Sequence, residues 1–167
     1  MIIYLAGPLF SLAERRFNEE FAKALERSIL PSMVILPQDH AAKIDEADGF
    51  AERMYCFALD AINHSDAVVA ILDGADTDSG TCIEIGYAKA KGKLIVGVRT
   101  DFRSGEDRGL NLMVSNICSH LLIRRSTSIS LEELADDVAR GLAGVKAAMA
   151  VGRTAAAAAG AGDLALA

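Results

Sequence analysis

The 167-residue sequence is short of cysteine, of positive charge and of long hydrophobic runs. Cys56, Cys82 and Cys118 show neither a Cys-x-x-Cys pair nor Cys/His zinc spacing, which argues against a zinc module or a disulfide framework. So sparse and odd a set fits a reducing compartment with buried thiols. Lys and Arg total 17 against 23 Asp and Glu, a formal net charge of −6. No basic stripe is present to neutralise a run of phosphates, so a nucleic-acid polymer is not an expected partner; one small nucleoside or nucleotide still is. Residues 1–10 (MIIYLAGPLF) are apolar but too short to span a bilayer, and no charged segment precedes them. They read as a strand rather than a signal peptide, and the expected location is the cytoplasm, away from membranes. Gly-x-Gly-x-x-Gly and Gly-x-x-x-x-Gly-Lys are both missing, which leaves dinucleotide or triphosphate binding unsupported.

What is present is a chain of one-domain size with apolar runs of strand length between helical patterns. Residues 1–6, 33–36, 67–72, 94–98 and 119–123 read as strands. Phe17, Phe21, Ala24, Leu25 and Ile29 recur at three- and four-residue steps and predict a helix from Ser11 to about Leu30. Further helices are expected over 52–64, from about Thr81 to Gly92, and after Ser130, where Glu133 completes a capping box. Residues 38–50 read as a polar loop. Strands that are apolar throughout, interleaved with helices, imply a parallel sheet covered on both faces. The expected fold is therefore a single-domain α/β, doubly wound parallel sheet, a flavodoxin-like or Rossmann-like three-layer sandwich over residues 1–150. Residues 151–167 form an alanine-rich C-terminal tail that either extends the last helix or packs on a neighbour.

In such sheets ligands bind beyond the carboxyl ends of strands, at a switch point. Three clusters fall there: Gly7-Pro8 with Phe10, Gln38-Asp39-His40, and the stretch from Asp73 to Glu84. The glycines of the last stretch permit tight turns and close approach to a ligand. With Thr81 or Ser79 as N-cap, Glu84 would lie near the first turn of its helix, where the dipole alone favours a carboxylate. Asp73, Asp76 and Asp78 crowd the same loop, and neighbouring like charges raise the pKa of at least one carboxyl. One ionised and one protonated carboxyl group is what glycosyl transfer needs. A cation site is the rival use, but the spacing lacks the glycine and intervening ligands of a calcium loop, so no metal and no organic cofactor is expected.

IYLAGPLF, SDAVVAILDG, DSGTCIEIGYAKAKGK and GLNLM, in that order over about residues 2–115, resemble the nucleoside 2-deoxyribosyltransferase family. The resemblance implies Glu84 as the nucleophile that forms a covalent deoxyribosyl-enzyme intermediate, and Asp78 as the residue that engages and helps protonate the base. It implies that Asn111 and Met113 reach a neighbouring subunit's site, hence a homo-oligomer with shared sites. Tyr4, Gly7 and Phe10 would line the pocket, Gly80 would belong to the substrate loop, and Gln38 resembles a base-reading residue. The implied ligands are a small-molecule nucleoside and a free base. One position departs: many members carry an Asp eight residues before the Asp that precedes the third strand, and here that count from Asp66 reaches Ala58. The nearest carboxylate, Asp60, is two positions on, about 200° around a helix. This keeps a nucleoside or nucleoside 5′-monophosphate hydrolase in view beside the transferase, and a non-catalytic nucleotide-binding module as a reading from another class.

Blander readings stand beside these. Asp73 could cap the loop after its strand, Tyr4 and Phe10 could be core aromatics, and Asn111 and Met113 could be helix start and core. His40, His64 and His120 hold no motif position. Arg99, Asp101 and Arg103 follow the fourth strand, where a solvated loop is expected ahead of a phosphate contact.

Overall fold

A computed structural model describes residues 1–43, 49–103 and 109–163, with side chains described as far as Val151. In chain order the elements are β1 (Ile2–Ala6), α1 (Leu12–Ser28), β2 (Met33–Ile35), α2 (Pro37–Ala41), α3 (Phe50–His64), β3 (Ala67–Ile71), α4 (Ser79–Ala90), β4 (Leu94–Arg99), α5 (Leu112–Ile117), β5 (His120–Ile123) and α6 (Leu131–Asp163). The strands form one all-parallel sheet in the order β2-β1-β3-β4-β5. This is the flavodoxin-like order, and its switch point falls between β1 and β3.

Both faces of the sheet are covered, which is why the central strands are apolar without alternation. On one face, Ile3, Leu5, Val69 and Val96 pack under Phe21 and Leu25 of α1 and Leu134, Val138 and Leu142 of α6. On the other, Tyr4, Val68, Ala70 and Ile95 pack under Ile62 of α3, Ile85 and Ala88 of α4 and Val114 of α5. Helix α1 starts at a capping box in which Ser11 Oγ accepts from Glu14 N–H and Glu14 accepts from Ser11 N–H. The same device, with Ser130 and Glu133, starts α6. That helix runs unbroken through the alanine-rich segment as far as Asp163.

Three local expectations need correction. Residues 37–41 are helical rather than loop, because Pro37 sits in the first turn of α2, where its fixed φ and missing N–H suit a helix start. The buried-thiol expectation fails for Cys56, which is exposed on α3. Arg99 is the last residue of β4 and wholly buried, not part of a solvated loop.

Gly97 marks the tightest packing on the α3–α5 face. A Cβ there would lie 2.7 Å from both Cys118 Sγ and Leu72 Cδ1, and 3.1 Å from Leu121 Cδ1. Gly97→Val should therefore cost about 1–3 kcal/mol through overpacking. Urea unfolding checks this, and an unchanged midpoint would contradict the packing described.

Candidate active site

Pleating turns Tyr4 toward the α3–α5 layer, with no accessible surface left on it. Its phenol donates to Glu84 Oε1 at 2.5 Å, across the contact between β1 and α4. Glu84 is pushed up to about 7, chiefly because burial penalises its charged form; Tyr4's hydrogen bond pulls it down and the nearby charge of Asp78 pushes it up again. Tyr4 is itself raised, first by burial and then by the Glu84 charge. A carboxyl poised near neutrality with one donor fixed on it is suited to nucleophilic or acid–base work.

Asp78, rather than Ser79 or Thr81, caps α4. Its Oδ2 accepts from Thr81 N–H at 2.8 Å and from the Thr81 hydroxyl at 3.0 Å. Starting the helix one residue after Asp78 places Glu84 in the second turn, so the dipole of the first turn does not account for it. Burial and Tyr4 do. Among the described residues Asp78 Oδ1 accepts no hydrogen bond. A Cβ on Gly80 would come within 3.1 Å of Asp78 Oδ2, so a larger residue would crowd the capping carboxylate.

The loop before α4 is cross-braced from β4. Asp73 Oδ1 accepts from the N–H groups of Thr100 at 2.6 Å and Asp101 at 2.9 Å, while its Oδ2 takes the Thr100 hydroxyl at 2.5 Å. Arg99 donates to the carbonyls of Leu72 and Gly74, and Asp101 accepts from Gly74 N–H at 3.0 Å. Asp101 is held far below the usual carboxylate range, mainly by hydrogen bonds from Arg103. Asp73 is thus a loop cap, and two of the three crowding aspartates are occupied by structural bonds.

The other sequence-selected residues are more scattered. Gly7 follows β1 in a tight place, since a Cβ would meet Ile71 Cβ at 3.1 Å and Ile71 would have to give by a few tenths of an ångström. Gln38 is braced at both ends, donating to the Arg15 carbonyl at 2.9 Å and accepting from Asn18 at 3.3 Å. Phe10 is 73% and Met113 71% exposed, which rules out core roles for both. Asn111 caps α5 through Met113 N–H at 2.8 Å. No hydrogen bond among the described residues joins Asn111 or Met113 to Tyr4 or Glu84. Ala58 packs against the layer containing Tyr4, whereas Asp60 points to solvent and pairs with His64 at 3.3 Å. His40 stacks on Phe57 with centroids 3.7 Å apart. No group of three metal-ligating side chains occurs among the described residues.

Asn18, buried in α1, does not stand out in the sequence reading, and Arg99 stands out there without its cross-bracing role. Asn18 had a signal: it precedes Phe21 by three and Leu25 by seven, so a polar amide falls on the apolar stripe of α1.

A parallel α/β sandwich with a half-buried carboxyl group beside its switch point places the chain in the flavodoxin-like class of α/β architectures. The family model for nucleoside 2-deoxyribosyltransferase matches residues 3–113, and the chain belongs to that family, whose members are enzymes acting on nucleosides. A conserved protein from Enterococcus faecalis V583 is similar at 29% identity and TM-score 0.69, over 84% of this chain and 98% of that one. The 2-deoxyribosyltransferase of Bacillus psychrosaccharolyticus shares the fold at 20% identity and TM-score 0.64, covering 81% and 91%. A CMP N-glycosidase of Clostridium botulinum does so at 20% and 0.53, covering 83% and 98%. No curated protein sequence matches the chain significantly.

The raised Glu84 value makes the ionised form a burden on the fold. That cost is absent below the ordinary glutamate value of 4.5 and is complete once pH has risen past about 7, where it amounts to about 3 kcal/mol. Glu84→Gln should accordingly be more stable than the parent at pH 8 and converge with it near pH 4. Parallel stability curves from pH 4 to 8 would show that Glu84 is not held as described. Tyr4→Phe removes the one interaction that lowers Glu84, so the carboxyl should titrate higher still, as read by carbon NMR of labelled Glu.

Proposed function

We propose that the protein is a nucleoside 2-deoxyribosyltransferase working by double displacement. The observation that carries this reading is the half-buried Glu84 carboxyl, gripped by Tyr4 and lying within the field of Asp78. Glu84 attacks C1′ of the bound nucleoside; the bond from C1′ to the base nitrogen breaks, and its electron pair leaves with the base. The proton that nitrogen needs comes from solvent, relayed across Oδ1 of Asp78, and the entering base returns its own proton by the same route. An ester between Glu84 and the sugar results. A second base attacks C1′ from the vacated side, the ester opens, and the carboxylate is restored. Retention at C1′ and ping-pong kinetics follow, with no metal or organic cofactor in the scheme.

Asp78 favours a nucleoside over its monophosphate. An N-terminal helix turn is a ready phosphate site, but here a carboxylate already accepts from Thr81 N–H and adds a negative charge. Gly7, Phe10, Gln38 and Gly80 are assigned to the substrate pocket, and Tyr4, which has no surface of its own, is assigned to it through its hold on Glu84. The exposed Asn111 and Met113 are assigned to the site of a second copy, which makes the working unit a homo-oligomer, located in the cytoplasm. A hydrolase of the same bond is the second reading, favoured by Ala58: where a carboxylate is implied against the sugar, a methyl group packs instead and Asp60 faces away.

Incubation with 2′-deoxyinosine, with and without excess adenine, tests the proposal. Deoxyadenosine should appear only when adenine is present. Hypoxanthine and free deoxyribose released regardless of adenine would establish the hydrolase. Glu84→Gln should lower kcat/KM by about three orders of magnitude or more, as for loss of a covalent nucleophile. With an ionised nucleophile required, kcat/KM of the parent should rise as pH passes through about 7.

A further inference from the structure

The two carboxylate oxygens of Asp78 stand in unequal settings, and one side chain makes them so. Oδ2 accepts from Thr81 N–H at 2.8 Å and from the Thr81 hydroxyl at 3.0 Å. Oδ1 accepts nothing among the described residues. A backbone N–H of the first turn is the ordinary partner of an Asp cap and is enough to start a helix. The hydroxyl is therefore an addition to the cap. In helices a threonine hydroxyl often bonds the carbonyl three or four residues back. Here the carbonyl four back, that of Thr77, is met by Cys82 Sγ at 3.9 Å, and the hydroxyl turns onto the carboxylate instead.

Thr81 is 1% exposed, so its hydroxyl is shut off from solvent and from a substrate. Any effect it has on the chemistry runs through Asp78. Two donors on one oxygen hold the carboxylate against rotation about its last bond. Gly80 adds a steric limit, because Oδ2 lies only 3.1 Å from where a Cβ would stand. The two donors also keep negative charge on Oδ2, which leaves Oδ1 as the oxygen that takes up and gives a proton. Thr81 and Glu84 are three residues apart on α4, so one face of one helix sets both the relaying carboxylate and the nucleophile.

We propose that Thr81 is a positioning residue of the site, its hydroxyl locking Asp78 so that Oδ1 alone is presented to the base. This rests on the N-glycosidic reading above, in which Oδ1 takes a proton from solvent and passes it to the base nitrogen as the C1′–N bond breaks. The electron pair of that bond goes to the nitrogen, the base departs neutral, and Asp78 returns to its carboxylate. With the hydroxyl gone, one donor remains on Oδ2. The carboxylate then turns, and the relaying oxygen faces the base for a smaller share of the time.

Steady-state kinetics of the full chain, on the nucleoside it cleaves fastest, test this. Thr81→Val keeps the branched shape and removes the donor. It should lower kcat about ten-fold and leave KM within about two-fold, part of the roughly 10²–10⁴-fold that general acid–base catalysis supplies. Thr81→Ser keeps the hydroxyl and should restore kcat. In an Asp78→Asn background Thr81→Val should change kcat no further, because no relay is left to orient. A merely structural hydroxyl would cost the same in both backgrounds. If Thr81→Val does not fold, Thr81→Ala carries the same cycle. Equal losses in the two backgrounds, an unchanged kcat without the hydroxyl, or a loss that serine does not restore would overturn the role of Thr81 and leave the enzyme reading intact. A parent chain that cleaves no nucleoside overturns both.

Discussion

The contact between Tyr4 and Glu84 is the constraint around which the rest of the molecule is arranged. A carboxyl group buried against a sheet is costly when ionised, and it persists only where a donor is fixed in place beside it. Here that donor belongs to the first strand and the acceptor to the fourth helix, so the bond is only as well defined as the packing of α4 on β1. Ile85 and Ala88 of α4, buried among Val68, Ala70 and Ile95, supply that packing. Neighbouring positions of one helix therefore divide the work: Ile85 anchors, and Glu84 is presented toward Tyr4.

The loop that launches α4 has to be equally firm, and its bracing explains a run of residues that looks merely acidic. Asp73 ties the end of β3 to the start of the loop after β4, and Arg99 ties β4 back to the Leu72 and Gly74 carbonyls. Asp78 closes the loop by capping the helix it precedes. Preorganisation of this kind puts the cost of ordering into folding rather than into the reaction. It also distinguishes Glu84 from its acidic neighbours: Asp73 and Asp78 accept several structural hydrogen bonds, whereas Glu84 has one phenol and an apolar setting.

The sheet was legible because burial on both faces leaves a plain trace, uniform apolar runs such as AVVAI, and the helices between them were marked by three- and four-residue steps. Helix α2 leaves little trace because it is five residues long and polar after Pro37, although a proline at a first turn is a start signal. The cap of α4 was misplaced by one to three residues within Asp-Ser-Gly-Thr, where three of the four residue types are good N-caps and only the hydrogen bond to Thr81 separates them. Glu84 and Asp78 stood out from spacing and resemblance. The partner of Glu84 did not follow from local pattern, because Tyr4 lies 80 positions away and reads as core until register and packing bring it across. Asn18 and Arg99 show the same limit: a buried polar group announces itself by an odd place in a pattern, but its partners are set by the tertiary fold.

On the proposed reading, whether the sugar ester passes to a base or to water turns on occupancy of the site. In a double displacement the leaving base and the entering base use one subsite in succession, so transfer requires that subsite to refill before water reaches C1′. Ala58 bears on that balance, because a methyl group packs on the Tyr4 layer while the nearest carboxylate, Asp60, faces solvent and pairs with His64. On this argument transferase and hydrolase are two outcomes of one glycosyl-enzyme, separated by how long a base stays bound beside Glu84.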